Sequence, residues 1–534
     1  MESDQRQVTC RYRDPPTEQL SERPRFTEPP PDTMIASFFQ LSTLERAWLG
    51  AYFAVLLLLA VYGIHRLVII GLYWRSRSRA PRDLRAMEDW PRVTVQLPLF
   101  NELYVAERLL EATAAIDYPG DRLEIQVLDD STDATREIVA RKVAELRRRG
   151  VDIVHLLRTD RKGFKAGALA AGLDRASGEF ICIFDADFLP PPDILKRSLP
   201  HFRAPDVGMV QARWGHLNRD FSLLSRAQAL QLDAHFVIEH AARNRSGRFF
   251  NFNGTAGVWR RATILDAGNW QHDTLTEDLD LSYRAQLRGW RFVYLNHLEA
   301  PAELPVQISG LKSQRHRWTK GAVQTARKML RAVWASRAPF RAKVEATFHL
   351  TANVNYPLNL LLAVLIFPAM LIRMRTGFGG FLLLDVPVFL CGTLSVYAYY
   401  LLAQHELGRL DASVLRSLPA LILMDTGLAV NNTVAVIEGF RRDPGEFVRT
   451  PKFSLARSGD GWHGKQYRSN DTWVCWLELA IGLYFSATVM IALQLGMWPA
   501  VPFLVLYQAG YLYIGLLSLA QRRRDTRVVA LAGS

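Results

Sequence analysis

The chain has 534 residues, 49% of them hydrophobic, and carries 65 Lys and Arg against 52 Asp and Glu, a formal net charge of +13. Its four cysteines, Cys10, Cys182, Cys391 and Cys475, are scattered without metal-ligand spacing, which excludes a disulfide framework or a zinc module. The positive charge gathers beside long apolar blocks, at Arg75, Arg77, Arg79 and Arg82 and again at Arg522, Arg523 and Arg524. That is the positive-inside pattern of a membrane protein and speaks against a nucleic-acid partner.

In chain order, residues 1–46 are rich in Pro, Arg and Glu, lack periodicity and read as a disordered tail. The apolar block Trp48–Tyr73, within 47–74, reaches the ~20 residues that cross a bilayer as a helix. It starts too late and runs too long for a cleaved signal peptide, so it is expected to stay as the first span. Residues 90–342 then alternate apolar runs (Val93–Leu99, Leu123–Leu128, Val151–Leu157, Phe180–Phe184, Val207–Ala212) with amphipathic stretches such as Tyr104–Ala115 and Ala134–Arg149. This alternation predicts an α/β domain with a mostly parallel sheet. In such sheets ligands bind beyond the carboxyl ends of the strands.

Further apolar blocks at Ala346–Ile372, Gly380–Ala403, Val474–Leu495 and Trp498–Ala520 bring the expected spans to five, within a membrane region 343–521. Leu418–Phe440 contains Asp425, Asn431, Asn432 and Glu438 and is read as an interfacial helix. An even number of spans then separates the catalytic region from the basic end, and both face the cytoplasm together with a loop at 441–470. Arg373 and Arg375 fall on the opposite side, against the rule. Residues 522–534 form a basic tail.

Three acidic clusters stand where strands or loops end: Asp129-Asp130-Ser131, Asp185-Ala186-Asp187 and Thr276-Glu277-Asp278. Carboxylates this close repel one another unless a cation lies among them. Asp185 and Asp187 suit a divalent cation, Mg²⁺ or Mn²⁺, that neutralises a diphosphate leaving group, although an isolated Asp-x-Asp is also common in ordinary loops. Asp129 and Asp130 suit a nucleoside pocket, or equally the N-cap of the following helix. Asp278 is a candidate general base, since transfer to a hydroxyl needs one and no Ser-His or Cys-His constellation is evident; a helix cap is the alternative. Gln314-Arg315-His316-Arg317-Trp318 offers guanidinium groups for a diphosphate and an indole face for a sugar, or is a basic helix beside the membrane.

The ordered set of Asp-Asp-Ser, Asp-x-Asp, Thr-Glu-Asp and Gln-Arg-x-Arg-Trp resembles the processive family 2 glycosyltransferases with a GT-A fold, among them cellulose and hyaluronan synthases. Val127–Asp133, Gly163–Leu169, Ile183–Phe188, Val210–Trp214 and Phe252–Arg260 look in particular like the cellulose-synthase-like A group, the mannan and glucomannan synthases. The dense part of the resemblance covers Arg92–Leu330. It implies that Asp129 or Asp130 holds the nucleoside with Lys165 nearby. Asp185 and Asp187 would serve the diphosphate and metal, and Thr276, Glu277 and above all Asp278 the catalytic step. Gln314, Arg315 and Arg317 would line the donor side, and Trp318, Phe252, Asn253, Gly254 and Thr255 the acceptor side. Phe447–Lys452 is similar to the Phe-x-Val-Thr-x-Lys loop of cellulose synthase only after a shift, because Arg449 separates Val448 from Thr450; it is either a lid or a basic linker. Only a short basic stretch follows Ala520, so a cyclic-dinucleotide sensor domain is not expected in this chain.

These readings predict an inverting hexosyltransferase of the EC 2.4.1 class, integral to a bacterial inner membrane or a eukaryotic Golgi membrane. It would build β-1,4-mannan or glucomannan from GDP-mannose with or without GDP-glucose, with UDP-glucose still open, and the growing chain would thread between the spans. Its partners would be the nucleotide sugar, the acceptor and the bilayer, with no nucleic acid; an export partner or an oligomer stays open. Two alternatives stand beside it: a nonprocessive glucosyltransferase acting on ceramide or diacylglycerol, and a non-catalytic nucleotide-sugar receptor or transporter.

Overall fold

A computed structural model describes residues 41–375, 382–441, 445, 447–455 and 473–532. The expected tail up to residue 40 and most of the 441–470 loop lie outside the described residues.

Seven strands form one sheet in the order β3-β2-β1-β4-β6-β5-β7, with β1 Val93–Leu99, β2 Leu123–Asp129, β3 Ile153–Leu157, β4 Phe180–Ile183, β5 Val207–His216, β6 Gly257–Arg260 and β7 Arg291–Ala302. β1, β2, β3 and β4 run parallel, β6 is antiparallel to both β4 and β5, and β5 and β7 are again parallel. The sheet is therefore mostly parallel, as the alternating pattern predicts. β4 is buried along its whole length and β1 at all but one position, because helices cover both faces. Gln96 and Gln126, polar exceptions in this core, pair through a 3.1 Å hydrogen bond from Gln96 Nε2 to Gln126 Oε1, and Gln126 Nε2 donates to Glu124 Oε1 at 3.2 Å.

Register decides where the chemistry falls. Leu99 pairs with Asp129, Asp129 with Leu157, and Gln96 with Ile183. The carboxyl ends of the first four strands thus lie side by side, and the residues just beyond them open into one crevice. β4 stops at Ile183, so Asp185 and Asp187 sit on the loop after the strand rather than on its last turns.

On one face of the sheet, Val93, Val95, Leu97, Ile125 and Val127 pack with Leu109, Leu110, Val139 and Val143 of the helices Ala106–Ala114 and Thr135–Arg148. The core on the other face is shared with the membrane helices. Leu169, Leu173, Ile181 and Trp259 belong to the same buried cluster as Ile69 and Tyr73 of the first span and Leu418, Leu421 and Met424 further on. Each such side chain contributes on the order of 1.5–3 kcal/mol by burial, so the α/β domain is anchored to the membrane region by its own core.

The first span, Thr43–Arg75, opens on a reciprocal cap in which Glu45 N donates to Ser42 Oγ and Ser42 N to a Glu45 carboxyl oxygen. Leu57, Leu58, Ile64, Leu67 and Val68 remain exposed along it, a surface suited to lipid. Among the described residues four helices are long and apolar enough to cross a membrane: Thr43–Arg75, Phe340–Arg375, Val474–Gln494 and Val501–Arg522. The pair Ala412–Gly427 and Ala429–Gly439, bent by 43°, makes five if it counts as one span. This bent pair covers the stretch read from sequence as interfacial. The block Gly380–Ala403 falls on the helix Leu382–Glu406. The last helix runs on to Ala532, through most of the stretch expected as a basic tail.

Two further helices position the site. Ile308–Ala335 follows β7 and carries Gln314–Trp318. Between the helices Leu223–Ala234 and Ala241–Arg245 the chain widens into a π turn, His235–His240.

Candidate active site

The crevice at the strand ends is lined by residues from widely separated parts of the chain, among them Asp130, Lys165, Asp185, Asp187, Asn253, Gly254, Thr276, Glu277, Asp278, Gln314, Arg317 and Trp318. The three acidic clusters and the basic-aromatic string therefore meet in one place.

Asp278 lies at the start of the helix Glu277–Leu287, deep in the crevice. Burial and the Glu277 charge beside it push its carboxyl up to about 7, against the pull of Lys165. A carboxylate with that proton affinity is poised to accept a proton near neutral pH. Its Oδ1 also accepts the Leu279 N–H at 2.8 Å, which fixes the side chain. Thr276 makes no side-chain cap; its hydroxyl meets that of Thr325 at 3.1 Å.

Lys165 is the cation among the carboxylates. Its Nζ donates to Asp185 Oδ1 at 2.5 Å and to Gly254 O at 2.9 Å, and stands 3.9 Å from Glu277 Oε1. Burial works against its charge, but Asp185 and Glu277 outweigh it and raise its pKa. Asp187 Oδ2 accepts from Lys452 Nζ at 2.6 Å. Both aspartates thus face positive charge in the crevice, and a pair of hard carboxylate oxygens there fits Mg²⁺ or Mn²⁺ shared with diphosphate oxygens. Among the described residues no group of three or more His, Cys, Asp or Glu side chains is placed to hold a metal ion.

The two aspartates at the end of β2 divide the work. Asp129 is fully buried, accepts from Ser131 N at 2.8 Å and lies 2.8 Å from His155 Nε2, and it does not line the crevice. Burial opposes its charge, but His155 and Ser131 hold the pKa below the usual range. Asp130 does line the crevice and is held by Arg158, whose Nε donates to Oδ1 at 2.8 Å. Beside it Arg161 lies 3.2 Å over the Phe100 ring, giving a flat cationic wall at that end.

Gln314, Arg317 and Trp318 face the crevice, whereas Arg315 does not line it; its Nη2 donates to Gln231 Oε1. Asn253 and Gly254 also line it. Phe252 is fully buried against Trp259 and Trp270, and Thr255 Oγ1 accepts the Asp185 N–H at 2.9 Å. These two shape the loop that presents Asn253 and Gly254.

The segment 447–455 also enters the crevice. Besides the Lys452 contact, Arg449 Nη2 donates to Glu102 Oε2 at 3.0 Å, and Arg317 Nη1 donates to Val448 O at 3.0 Å with its guanidinium 4.4 Å over Phe447. Glu303 holds the strap from below, accepting the N–H groups of Phe453 at 2.8 Å and Leu455 at 3.1 Å. Burial pushes Glu102 up to about 7 despite Arg449. Glu102 and Glu303 were not picked out from sequence, and Arg449 and Lys452 were named only within the loop Phe447–Lys452, without a place in the crevice. The one available signal was the shifted likeness of Phe447–Lys452 to a known loop.

Residues 91–321 match the family model described as Glycosyltransferase like family 2. Glucomannan 4-beta-mannosyltransferase 2 of Arabidopsis thaliana is 41% identical over 276 residues, 49% of this chain and 52% of the relative. Glucomannan 4-beta-mannosyltransferase 1 of Oryza sativa subsp. japonica is 43% identical over 246 residues, 45% of this chain and 47% of the relative. The chain thus spans about half the length of the curated relatives it matches. Among solved structures, the mannosyltransferase PcManGT from Pyrobaculum calidifontis, in complex with GDP-Man and Mn²⁺, superposes with a TM-score of 0.46 at 23% identity, covering 72% of this chain and 100% of that one. All seven strands of the sheet and all three acidic clusters of the crevice lie within residues 91–321, the part of the chain that matches the family 2 glycosyltransferase model.

Proposed function

We propose that the protein is a membrane-integrated, inverting hexosyltransferase that moves mannose from GDP-mannose onto a growing β-1,4-linked mannan or glucomannan chain. The observation that carries this reading is Asp278, a buried carboxyl raised to about 7 in the same crevice as Asp185, Asp187 and Lys165. The choice of sugar rests on the similarity to glucomannan mannosyltransferases.

In the proposed reaction Asp130, Arg158, Arg161 and Phe100 hold the nucleoside end. Asp185 and Asp187 would hold Mg²⁺ or Mn²⁺, which when bound offsets the diphosphate charge and makes it a better leaving group. Arg317 and Lys165 add fixed positive charge where negative charge grows on the departing diphosphate. Asp278 takes the proton from the acceptor hydroxyl as that oxygen attacks the anomeric carbon from the face opposite the nucleotide, so an α-linked donor gives a β-linked product. Trp318 provides a flat apolar face for a sugar ring on the acceptor side. The domain would face the cytoplasm, with the basic segments on that side of the membrane.

The test is to give the purified full-length protein GDP-mannose, GDP-glucose and UDP-glucose separately and to analyse the linkages in the product. The reading expects β-1,4-linked mannose in an insoluble polymer. An organic-soluble lipid bearing one sugar would contradict it, and so would nucleotide-sugar binding with no transfer at all.

A further inference from the structure

Asn253 lines the crevice beside Gly254, and a Cβ on Gly254 would stand 3.1 Å from Asp278 Oδ2. The wall that Asn253 forms is therefore next to the proposed base, where an acceptor hydroxyl must come. The Asn253 amide Nδ2 donates to His240 Nε2 at 3.3 Å, while its Oδ1 has no partner among the described residues. One half of the amide is tied down and the other keeps its acceptor capacity for a hydroxyl.

His240 is itself fully buried; its polar contacts converge on Nε2, while Nδ1 has no partner among the described residues. His235 Nε2 lies 2.9 Å from that Nε2, and His235 Nδ1 lies 2.7 Å from Glu239 Oε2. Residues that share a face of an α-helix are three or four apart; the π turn, with its i→i+5 pattern, brings together two histidines five apart. Glu239 in turn takes the Tyr399 hydroxyl at 3.3 Å and pairs with Arg243, Arg243 Nε donates to Glu345 at 3.0 Å, and Glu345 meets His65 of the first span at 2.9 Å. The same turn supports a second crevice residue, since Phe236 packs 5.0 Å from Trp214 and stacks on His240 at 5.4 Å. Burial, with Arg243 nearby, pushes the His240 pKa well below its ordinary value, so the ring stays neutral, and with its proton on Nδ1 its Nε2 can accept the Asn253 N–H.

We propose that His240 is a positioning residue for the acceptor: through Asn253 it sets the crevice wall beside Asp278, and the π turn hangs that wall from the membrane helices. The inference rests on the reading of the crevice as a site of sugar transfer. Its ligand class is a saccharide hydroxyl, accepted by Asn253 Oδ1.

The test uses the full-length protein in lipid nanodiscs, with GDP-mannose as donor and mannohexaose as the acceptor probe. His240→Leu is expected to raise KM for mannohexaose about tenfold, the effect of one misplaced hydrogen-bonding group, while GDP affinity stays within about twofold. His240→Gln, whose amide can again accept from Asn253, is expected to recover most of that loss. If His240→Leu does not fold, Asn253→Ala carries the same comparison. Unchanged acceptor KM, equal losses in acceptor and GDP binding, or no recovery in His240→Gln would overturn the inference. Wild-type protein that transfers no sugar would instead sink the reading of the crevice, so the two failures are told apart.

Discussion

Lys452 places its ammonium on Asp187, with Nζ 2.6 Å from Oδ2, although 265 residues separate the two in sequence. The same Nζ donates to Glu303 O at 2.8 Å. A lysine thus sits on the aspartate that the proposed mechanism gives to a divalent cation, and the two positive charges compete for one oxygen. Lys452→Ala should therefore tighten Mn²⁺ binding in the absence of nucleotide by about fivefold, the order expected for losing a charge-assisted hydrogen bond. Electron paramagnetic resonance titration of free Mn²⁺ measures this directly. Weaker binding in the variant would mean that Lys452 does not compete for the site. Chelation with EDTA should abolish sugar transfer, and added Mg²⁺ or Mn²⁺ should restore it.

The raised proton affinity of Asp278 sets a pH dependence. A base must be deprotonated to act, and burial with the Glu277 charge places its pKa at about 7. As pH falls through that value the active form is lost, so kcat/KM should drop about tenfold per pH unit on the acid side and level off above it. A flat profile from pH 5 to 8 would rule out a single base with this pKa.

Gly254 tests the packing around Asp278, the proposed base. Its φ is +80°, and a Cβ there would stand 3.1 Å from Asp278 Oδ2 and 3.3 Å from Lys165 Nζ. Gly254→Ala costs roughly 1–2 kcal/mol in backbone strain and also crowds the two charged groups. We expect kcat to fall at least about tenfold, since small misplacements at a reacting centre are costly, with a lowering of Tm of only a few degrees. Steady-state rates alongside thermal unfolding separate the two effects.

The buried pair between Lys312 and Glu478 ties the helix of Gln314–Trp318 to the C-terminal membrane helices. Lys312 Nζ donates to Glu478 Oε2 and to Ser518 Oγ, each at 2.7 Å, and both charged side chains are buried. Lys312→Ala leaves the carboxylate without this partner and should destabilise the protein by about 3–5 kcal/mol. The double variant Lys312→Met, Glu478→Leu should recover most of that loss, which thermal unfolding in nanodiscs would show. A double variant no better than the single one would mean that the ion pair itself is required.

Much of this architecture was legible in the sequence because the signal was local. β1, β2, β4 and β5 are short apolar runs, and the acidic clusters are contiguous strings beyond their ends or at a helix start. β6 is only four residues long, inserted antiparallel between β4 and β5, and its sequence reads as a motif rather than as a strand. β7 mixes Asn296, His297 and Glu299 into its apolar pattern and gives no clean alternation. The enclosure of Asp129 depends on β2 and β3 lying in register, with Leu157 opposite it and His155 two residues back. The meeting of Glu102, Asp187, Glu303 and Lys452 depends on four distant segments converging, which no spacing in one chain encodes.

The most direct measurement is incorporation of labelled mannose from GDP-mannose into insoluble polymer by the purified protein, wild type against Asp278→Asn, with GDP binding measured on both. The account predicts that the variant binds GDP as tightly as wild type yet forms polymer about 10²–10⁴-fold more slowly. Polymer formation at near wild-type rate by Asp278→Asn would contradict it.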